Sequence, residues 1–433
     1  MHKSLWQEEN TIAKKSKRKG KIKTDVLIIG GGISGILCAY FLKEAGVDCI
    51  IAEAKETFSG ISANTTAKLT IGHGMIYDNM LKELGREKTT MYLKANSDAL
   101  KEYERLCQSI DCDYEKRDMF VYTTTKKEKA ENETRTLQSL GYSCEYTEKT
   151  ELPIKALAAV KISKQAQINP VKFAKEIAKK LNIIENCFIK EIKGNTAIAE
   201  NFTIEAEKII VATHFPFINK HGGYFLKMYQ HRSYVCAYEN APVFKGMYVD
   251  EDISGFSFRS YGNFLIAGGG GHRTGKEGTA WREIEKFIKT HYPDSKKKFS
   301  WAAQDCMTLD GIPYIGKYSK NTPNLYVICG FNKWGFTSSM AGAKIICDLI
   351  FKKENPYAQI FSPQRSIFKP QLFINGFEST KNLLYPSLKR CPHLGCVLKW
   401  NKYEHSWDCP CHGSRFSEKG EIIDNPAMRN ADI

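Results

Sequence analysis

Two short runs near the C-terminus carry the side chains best suited to hold a metal. Cys391 and His393 form C-x-H, Cys409 and His412 form C-x-x-H, and 15 residues lie between the runs. Two thiolates and two neutral imidazoles can complete a two-iron, two-sulfide cluster, with sulfur on one iron and nitrogen on the other. The same four ligands also suit a single tetrahedral zinc. Cys396 and Cys411 fall in the same runs and have no part in a zinc site of that kind. The remaining ten of the fourteen cysteines are scattered singly, mostly in apolar segments, where a thiol serves as a small buried hydrophobe.

A second constellation lies at residues 24–54, TDVLIIGGGISGILCAYFLKEAGVDCIIAEA. Gly30, Gly32 and Gly35 give G-x-G-x-x-G directly after a short apolar strand and at the start of a helix expected over 33–44. The first glycine allows the tight turn, the second lets backbone approach a pyrophosphate, and the third lets helix and strand pack closely. Gly46 caps the helix, 48–52 reads as the second strand, and Glu53 ends the unit where a carboxylate accepts ribose hydroxyls. This is a complete dinucleotide-binding βαβ unit. The Gly/Ser/Thr/Asn-rich loop 58–79 follows it, with Thr65 and Thr66 as candidates to touch the cofactor.

These groups need elements to position them, and 433 residues suffice for two or three domains. Helices are expected over 80–107 and 126–140, and another from Pro170 with Asn169 as its N-cap. The run 208–213, KIIVAT, reads as a buried parallel strand. Residues 234–264 read as an antiparallel sheet inserted as a substrate wall, and the glycines at 268–271 as a turn. A helix over 281–292 precedes the segment 310–316 and a late strand, loop and helix at 324–351. Lys plus Arg is 63 against 48 for Asp plus Glu, a net +15. Part of that excess is one run, 14–23, which reads as a solvated arm. No DNA-reading motif accompanies it, so no nucleic-acid partner is expected. The apolar stretch after it is the glycine fingerprint rather than a signal peptide, and no other stretch reaches ~20 apolar residues. A cytoplasmic protein is the expectation.

Residues 24–351 resemble the FAD-dependent oxidoreductases of the D-amino-acid oxidase and glycine oxidase superfamily. The resemblance rests on the fingerprint with Glu53, the IIVAT strand, the DGIPYIG segment and the late GFNKWGF loop. It implies FAD as cofactor and oxidation of a C–N bond by hydride transfer, with Gly330, Trp334, Gly335 and Thr337 near the flavin ring. Arg232, Tyr234, Arg259 and His272 lie in or beside the expected wall and are candidates to bind a substrate carboxylate. Cys306 precedes DGIPYIG, in the general region where some relatives tether flavin.

The C-terminal runs, CPHLGC and CPCHGS, resemble the Rieske [2Fe-2S] proteins. That resemblance implies Cys391, His393, Cys409 and His412 as ligands and Cys396 with Cys411 as a disulfide clamp. It also sets the Ser414 hydroxyl toward cluster sulfur and Phe416 where high-potential relatives have tyrosine, which implies a potential below the respiratory type. The fold expected is α/β: a Rossmann-like FAD-binding domain with an inserted antiparallel-sheet substrate domain, then a small all-β cluster module. The boundaries are a basic arm 1–23, the oxidoreductase 24–351, a linker 352–390 and the module 391–433. Forty-three residues are too few for a self-sufficient core, so the module must rest on the flavin domain, on a partner, or on its own cluster and disulfide.

The whole resembles bacterial fusions of these two parts, which SLW at 4–6 and NTTAKLT at 64–70 also fit. The function expected is a dehydrogenase. An amine or amino acid reduces FAD, and electrons pass singly through the cluster to an unidentified one-electron acceptor. The alternatives are a reductase running the other way and a non-catalytic redox sensor or electron carrier.

Overall fold

The computed structural model describes residues 3–8 and 20–433. Most of the basic run, 14–19, lies outside them. Residues 20–23 are not an arm: they begin the strand Gly20–Ile29, where Lys21 and Lys23 face Glu205 of the neighbouring strand.

Among the described residues the chain forms three sheets. The first is built on Gly20–Ile29, flanked by parallel strands Phe202–Val211 and Cys49–Ala52 and extended by Leu325–Cys329. These runs are apolar on both faces because helices Ile33–Glu44 and Gly335–Ile350 pack over one face and a second buried cluster that includes Phe215, Tyr224 and Met228 covers the other. Two glycines make the first turn possible. A Cβ on Gly30, whose φ is +111°, would stand 2.5 Å from the Ala212 carbonyl, and one on Gly35 would stand 1.9 Å from the Gly30 carbonyl.

The second sheet runs in the order Lys296–Thr308, Met228–Glu239, Phe264–Arg273, Ser257–Tyr261, Met247–Asp250, Glu115–Thr123, Ala158–Gln167, Lys68–Leu69. It is antiparallel except where Met247–Asp250 runs parallel to Glu115–Thr123. The glycines at 268–271 belong to a strand here, not to a turn. Gly269 lies under the Phe256 ring and Gly270 against the Ala280 carbonyl, approaches that a side chain would block. Helix Tyr77–Cys107 matches the expected helical stretch, broken at Gly85. Asn169 caps Pro170–Ala178 as read, its Oδ1 accepting from the Val171 and Lys172 amides at 3.1 Å each.

The third sheet is the small C-terminal one, Lys399–Asn401, Ser406–Asp408, Arg415–Phe416 and Ile422–Asp424. Residues 352–390, expected as linker, contain helices Ala358–Phe361 and Pro370–Leu384. The Arg365 guanidinium grips Asp310 there, at 2.7 and 2.8 Å. No helix among the described residues is long and apolar enough to cross a membrane.

The N-terminal segment has a role that its position at the chain end conceals. Five consecutive carbonyls of the loop after the fingerprint are held from behind. Ser4 Oγ donates to Ala63 O at 2.6 Å, Trp301 Nε1 to Asn64 O at 3.0 Å, and Trp6 Nε1 to Thr65 O at 2.8 Å. Arg259 donates to Thr66 O at 2.6 Å and Ala67 O at 2.9 Å, its guanidinium lying over the Trp6 ring. Trp6 is buried. Replacing it, Trp6→Ala, leaves a void and a carbonyl without its donor. The expected cost is about 3–5 kcal/mol by urea unfolding, with a matching fall in flavin content of the purified protein. An unchanged midpoint with full flavin content would show that the segment does not hold the loop.

Candidate active site and metal centre

A cavity of about 1300 Å³ runs from the glycine loop to the second sheet, enough for a dinucleotide with a small substrate. At one end lie Gly30, Gly32 and Glu53. The Glu53 carboxylate accepts from the Gly31 amide at 2.6 Å and the Lys55 amide at 2.8 Å, which fixes it beside the phosphate-facing turn. Burial raises its pKa. Ser62, which sequence reasoning passed over, accepts from the Ile33 amide at the helix N-terminus at 3.0 Å.

Thr65, Thr66, Trp334 and Gly335 line the middle of the cavity. Gly330 lies behind that wall, where a Cβ would meet Thr308 at 2.5 Å. Thr337 acts through His73, a residue not singled out in the sequence. His73 stacks on Trp334 at 4.9 Å, and its ring nitrogens meet Tyr92 Oη at 2.7 Å and Thr337 Oγ1 at 2.9 Å. Burial keeps it neutral, its pKa pulled down to about 3. Lys68 also lines the cavity, with no carboxylate within 4.0 Å among the described residues. Burial, reinforced by Arg259, pulls its pKa down to about 7. A long cleft with a glycine turn at one end and a planar stack with a buried ammonium at the other fits FAD.

The far wall comes from strands Met228–Glu239 and Lys296–Thr308, whose alternation sends neighbouring residues to opposite faces, with an irregularity between Arg232 and Tyr234. Tyr229, Ser233, Ala303, Asp305 and Met307 line the cavity. Gln230, Arg232 and Gln304 bond to the C-terminal module on the opposite face. Beside this wall Lys333 also lines the cavity and donates to the Ile253 carbonyl at 2.6 Å; it follows Asn332, whose amide donates to the Cys306 carbonyl at 3.1 Å. Asn332 and Lys333 both have positive φ, 49° and 74°, a conformation costing on the order of 1–3 kcal/mol each. The Asn332 side chain pays for neither alone but pins both, accepting from the Thr308 amide at 2.8 Å and donating to the Gly330 carbonyl at 2.7 Å. Burial raises the Asp305 pKa to about 6 and lowers that of Lys333 to about 8. Each feels the other's charge, Lys333 pulling the Asp305 pKa down and Asp305 pulling that of Lys333 up against the larger effect of burial.

Three of the four substrate candidates from the sequence, Arg232, Tyr234 and His272, are brought together, but around Glu404 of the C-terminal module, while Arg259 lies apart. Tyr234 borders the cavity, but its hydroxyl donates to Glu404 of the C-terminal module at 3.0 Å. Arg232 forks onto the same Glu404. Arg259 is committed to the loop carbonyls, and His272 stacks on Tyr234 at 5.7 Å. Cys306 borders the cavity as a buried thiol pushed well above its ordinary pKa by burial.

In the C-terminal module two matching turns present the metal candidates. Gly395 N donates to Cys391 O and Gly413 N to Cys409 O, both at 2.9 Å. Cys396 and Cys411 form a disulfide between the turns. The sulfur of Cys409 lies within 4.8 Å of both, but a disulfide offers no thiolate, so those three are not a metal site. The free set is Cys391, Cys409, His393 and His412. Cys391 and Cys409 are both buried, and the imidazoles stand 5.0 Å apart at 88°. The Nδ1 atoms of both histidines are buried without a hydrogen-bond partner, as ligand nitrogens would be. His393 Nε2 is oriented by Asn219 Oδ1 at 3.1 Å. Two thiols and two such nitrogens around one space fit a two-iron cluster.

The module is fastened to the back of the wall. Glu404 lies between Arg232 and Arg415, and Arg415 also holds Asp408 at 3.0 Å and Asp424 at 3.2 Å. Gln230 Nε2 donates to His412 O at 2.8 Å, and Gln304 Nε2 to Gly413 O at 2.9 Å. Arg273 donates to the carbonyls of Pro410 and Cys411 at 3.1 and 3.2 Å. The tail 421–430 then reaches the nucleotide end of the cavity, where Lys55 donates to the Ile423 carbonyl at 2.9 Å.

Comparison with known proteins agrees with both halves. The FAD dependent oxidoreductase family matches residues 25–349 and the Rieske [2Fe-2S] domain residues 366–433. The second match takes in helix Pro370–Leu384. The chain is 30% identical to the Rieske 2Fe-2S iron-sulfur protein YhfW of Bacillus subtilis (strain 168), over 98% of this chain and 96% of that one. Its fold is shared with L-proline dehydrogenase from P. horikoshii, at a TM-score of 0.67 and 14% identity over 80% of this chain and 98% of that one. It is shared equally with glycine oxidase from Geobacillus kaustophilus, at a TM-score of 0.67 and 19% identity over 80% and 99%.

The Ser414 hydroxyl accepts from the Ala427 amide at 2.9 Å and lies within bonding reach of the Cys391 sulfur, to which its own proton is free to point. A donor at a ligand sulfur stabilises the more negative, reduced state. Ser414→Ala is therefore expected to lower the midpoint potential of the metal centre. One hydrogen bond to a charged group, about 1.5–3 kcal/mol, corresponds to about 65–130 mV for one electron. A redox titration giving an unchanged potential would contradict this role.

Proposed function

Because the chain belongs to the FAD-dependent oxidoreductase family and ends in a Rieske [2Fe-2S] domain, we propose that it is a cytoplasmic dehydrogenase for a small amine or amino acid. Its electrons leave through the C-terminal module to a one-electron acceptor. The observation that carries this reading is the shared wall. Strands Met228–Glu239 and Lys296–Thr308 line the cavity on one face and bond to the cluster-bearing turns on the other. L-proline dehydrogenase and glycine oxidase, with the same fold, are named for amino-acid substrates.

Bound in their sites, FAD supplies a two-electron hydride acceptor and the cluster a one-electron carrier. The chain's own residues supply position and charge. The Asp305 carboxylate receives the substrate's amino group, and the Lys333 ammonium beside it receives an anionic or carbonyl group where the substrate has one. His73 and Trp334 hold the ring end of the cleft, and Lys68 sets positive charge there. Thr65 and Thr66 stand on the loop that Ser4, Trp6 and Arg259 fix from behind. His214, which borders the cavity with its Nε2 unpartnered, lies beside Gln230, the residue that bonds to the His412 carbonyl.

Anaerobic mixing with a panel of amines and amino acids, read by loss of flavin absorbance, tests the reading. At least one such compound is expected to bleach the flavin, and none doing so would overturn it. Asp305 attracts an ammonium only when ionised, so kcat/KM is expected to rise as pH climbs through about 6. Asp305→Asn removes that limb and raises KM roughly 10- to 100-fold, the value of one charge-assisted hydrogen bond.

A further inference from the structure

Helix Pro370–Leu384 is turned inside out for a surface helix. At about 100° per residue, Phe373, Phe377 and Leu384 fall within about 40° of one another. They face outward, with 71%, 70% and 78% of their surfaces exposed. Phe368 just before the helix and Leu388 just after it are 80% and 99% exposed.

The protein uses the polar side instead. Asn375 and Asn382 are buried, Asn375 Oδ1 accepts from Arg273 at 3.0 Å, Glu378 pairs with Lys276, and the Asn382 carbonyl accepts from the Val397 amide at 3.0 Å. Nothing among the described residues covers the apolar ridge, and exposed apolar surface of this extent marks a contact site.

Charge identifies what covers it. From residue 366 to 402 the chain has six basic residues, Lys369, Lys381, Lys389, Arg390, Lys399 and Lys402, and one acidic residue, Glu378; Glu378 pairs with Lys276 and Lys369 with Glu83, which leaves five cations without a carboxylate partner among the described residues. A second copy docked symmetrically would set this basic surface against itself. An anionic lipid surface meets both features, taking the phenyl rings into the acyl boundary and the cations among the headgroups.

We propose that helix Pro370–Leu384 lies flat on an anionic bilayer surface, with Phe373, Phe377 and Leu384 as its inserted residues. Arg390 ties the helix to the first metal-binding turn, donating to Leu383 O at 3.1 Å and Gly395 O at 2.8 Å. Leu394 of that turn is itself 40% exposed. Docking through this helix therefore sets the cluster end of the molecule toward the membrane. The proposal is independent of the amine substrate and of the direction of electron flow.

The test is vesicle flotation of the purified holoprotein with phosphatidylglycerol–phosphatidylcholine vesicles and with phosphatidylcholine alone. Flotation is expected with the anionic vesicles and to weaken with added salt. Burying two phenyl rings is worth several kcal/mol, so Phe373→Glu with Phe377→Glu is expected to reduce flotation roughly tenfold or more. Flavin and cluster absorbance should be unchanged in that variant, since both side chains are exposed. Absence of flotation with either vesicle, or equal flotation of the variant, would overturn the proposal. So would a wild-type dimer in sedimentation that the same variant dissociates, which would assign the ridge to a second copy.

Discussion

Glu404 lies between two buried guanidinium groups, Arg232 from the substrate wall and Arg415 from the cluster module, and the placement of the module depends on that contact. Neither arginine can be buried unpaired, since an uncompensated charge in a dry interface costs several kcal/mol. Arg415 takes Asp408 and Asp424 as further partners, while Arg232 has Glu404. The two guanidiniums in turn hold the Glu404 carboxyl far below the ordinary carboxylate range against the pull of burial. Such a cluster adds less to stability than to geometry, because it tolerates one arrangement. A module with a core of a few residues around its cysteines gains from this an orientation that its own packing would not impose.

That orientation makes one sheet serve two purposes. Successive side chains of a strand point to opposite faces, and the faces of packed layers are ~10 Å apart. Asp305 and Ser233 therefore belong to the cavity, while Gln304 and Arg232, each one residue away, belong to the module. The module's tail returns the contact at the other end, with Asn425 donating to the carbonyls of Thr213 and Phe215 at 2.7 and 2.8 Å. Nucleotide site, substrate wall and metal centre are thus held by one continuous set of contacts.

Much of this was legible where the chemistry is contiguous in sequence. The glycine turn with Glu53 and the two cysteine–histidine runs are local motifs, and their geometry follows from their spacing. Asp305, Lys333, His73 and Lys68 are not local in that sense. Each is an ordinary residue until the fold brings it to the cavity; the sequence marked a Gly/Asn loop at 330–335, but the positive φ of Asn332 and Lys333 is visible only in the fold. Arg232 illustrates the limit. Its proximity to the wall was correct, but only register tells which face it occupies. Helix Pro370–Leu384 was hidden for the opposite reason: its apolar positions face away from the protein, so it lacks the signature of a core-packed helix. The SLW segment is too short for any periodicity, and its importance comes from the carbonyls it meets.

In the proposed relay, electrons pass between cavity and metal centre across the wall that Glu404 clamps. The relay is tested most directly by anaerobic mixing with a substrate that bleaches the flavin, following flavin absorbance by stopped flow and the cluster by EPR of rapidly frozen samples. Cluster reduction is expected to follow flavin bleaching in the native chain. In Glu404→Gln the flavin should bleach at its native rate while cluster reduction slows. A native cluster that stays oxidised while the flavin is fully reduced would contradict it.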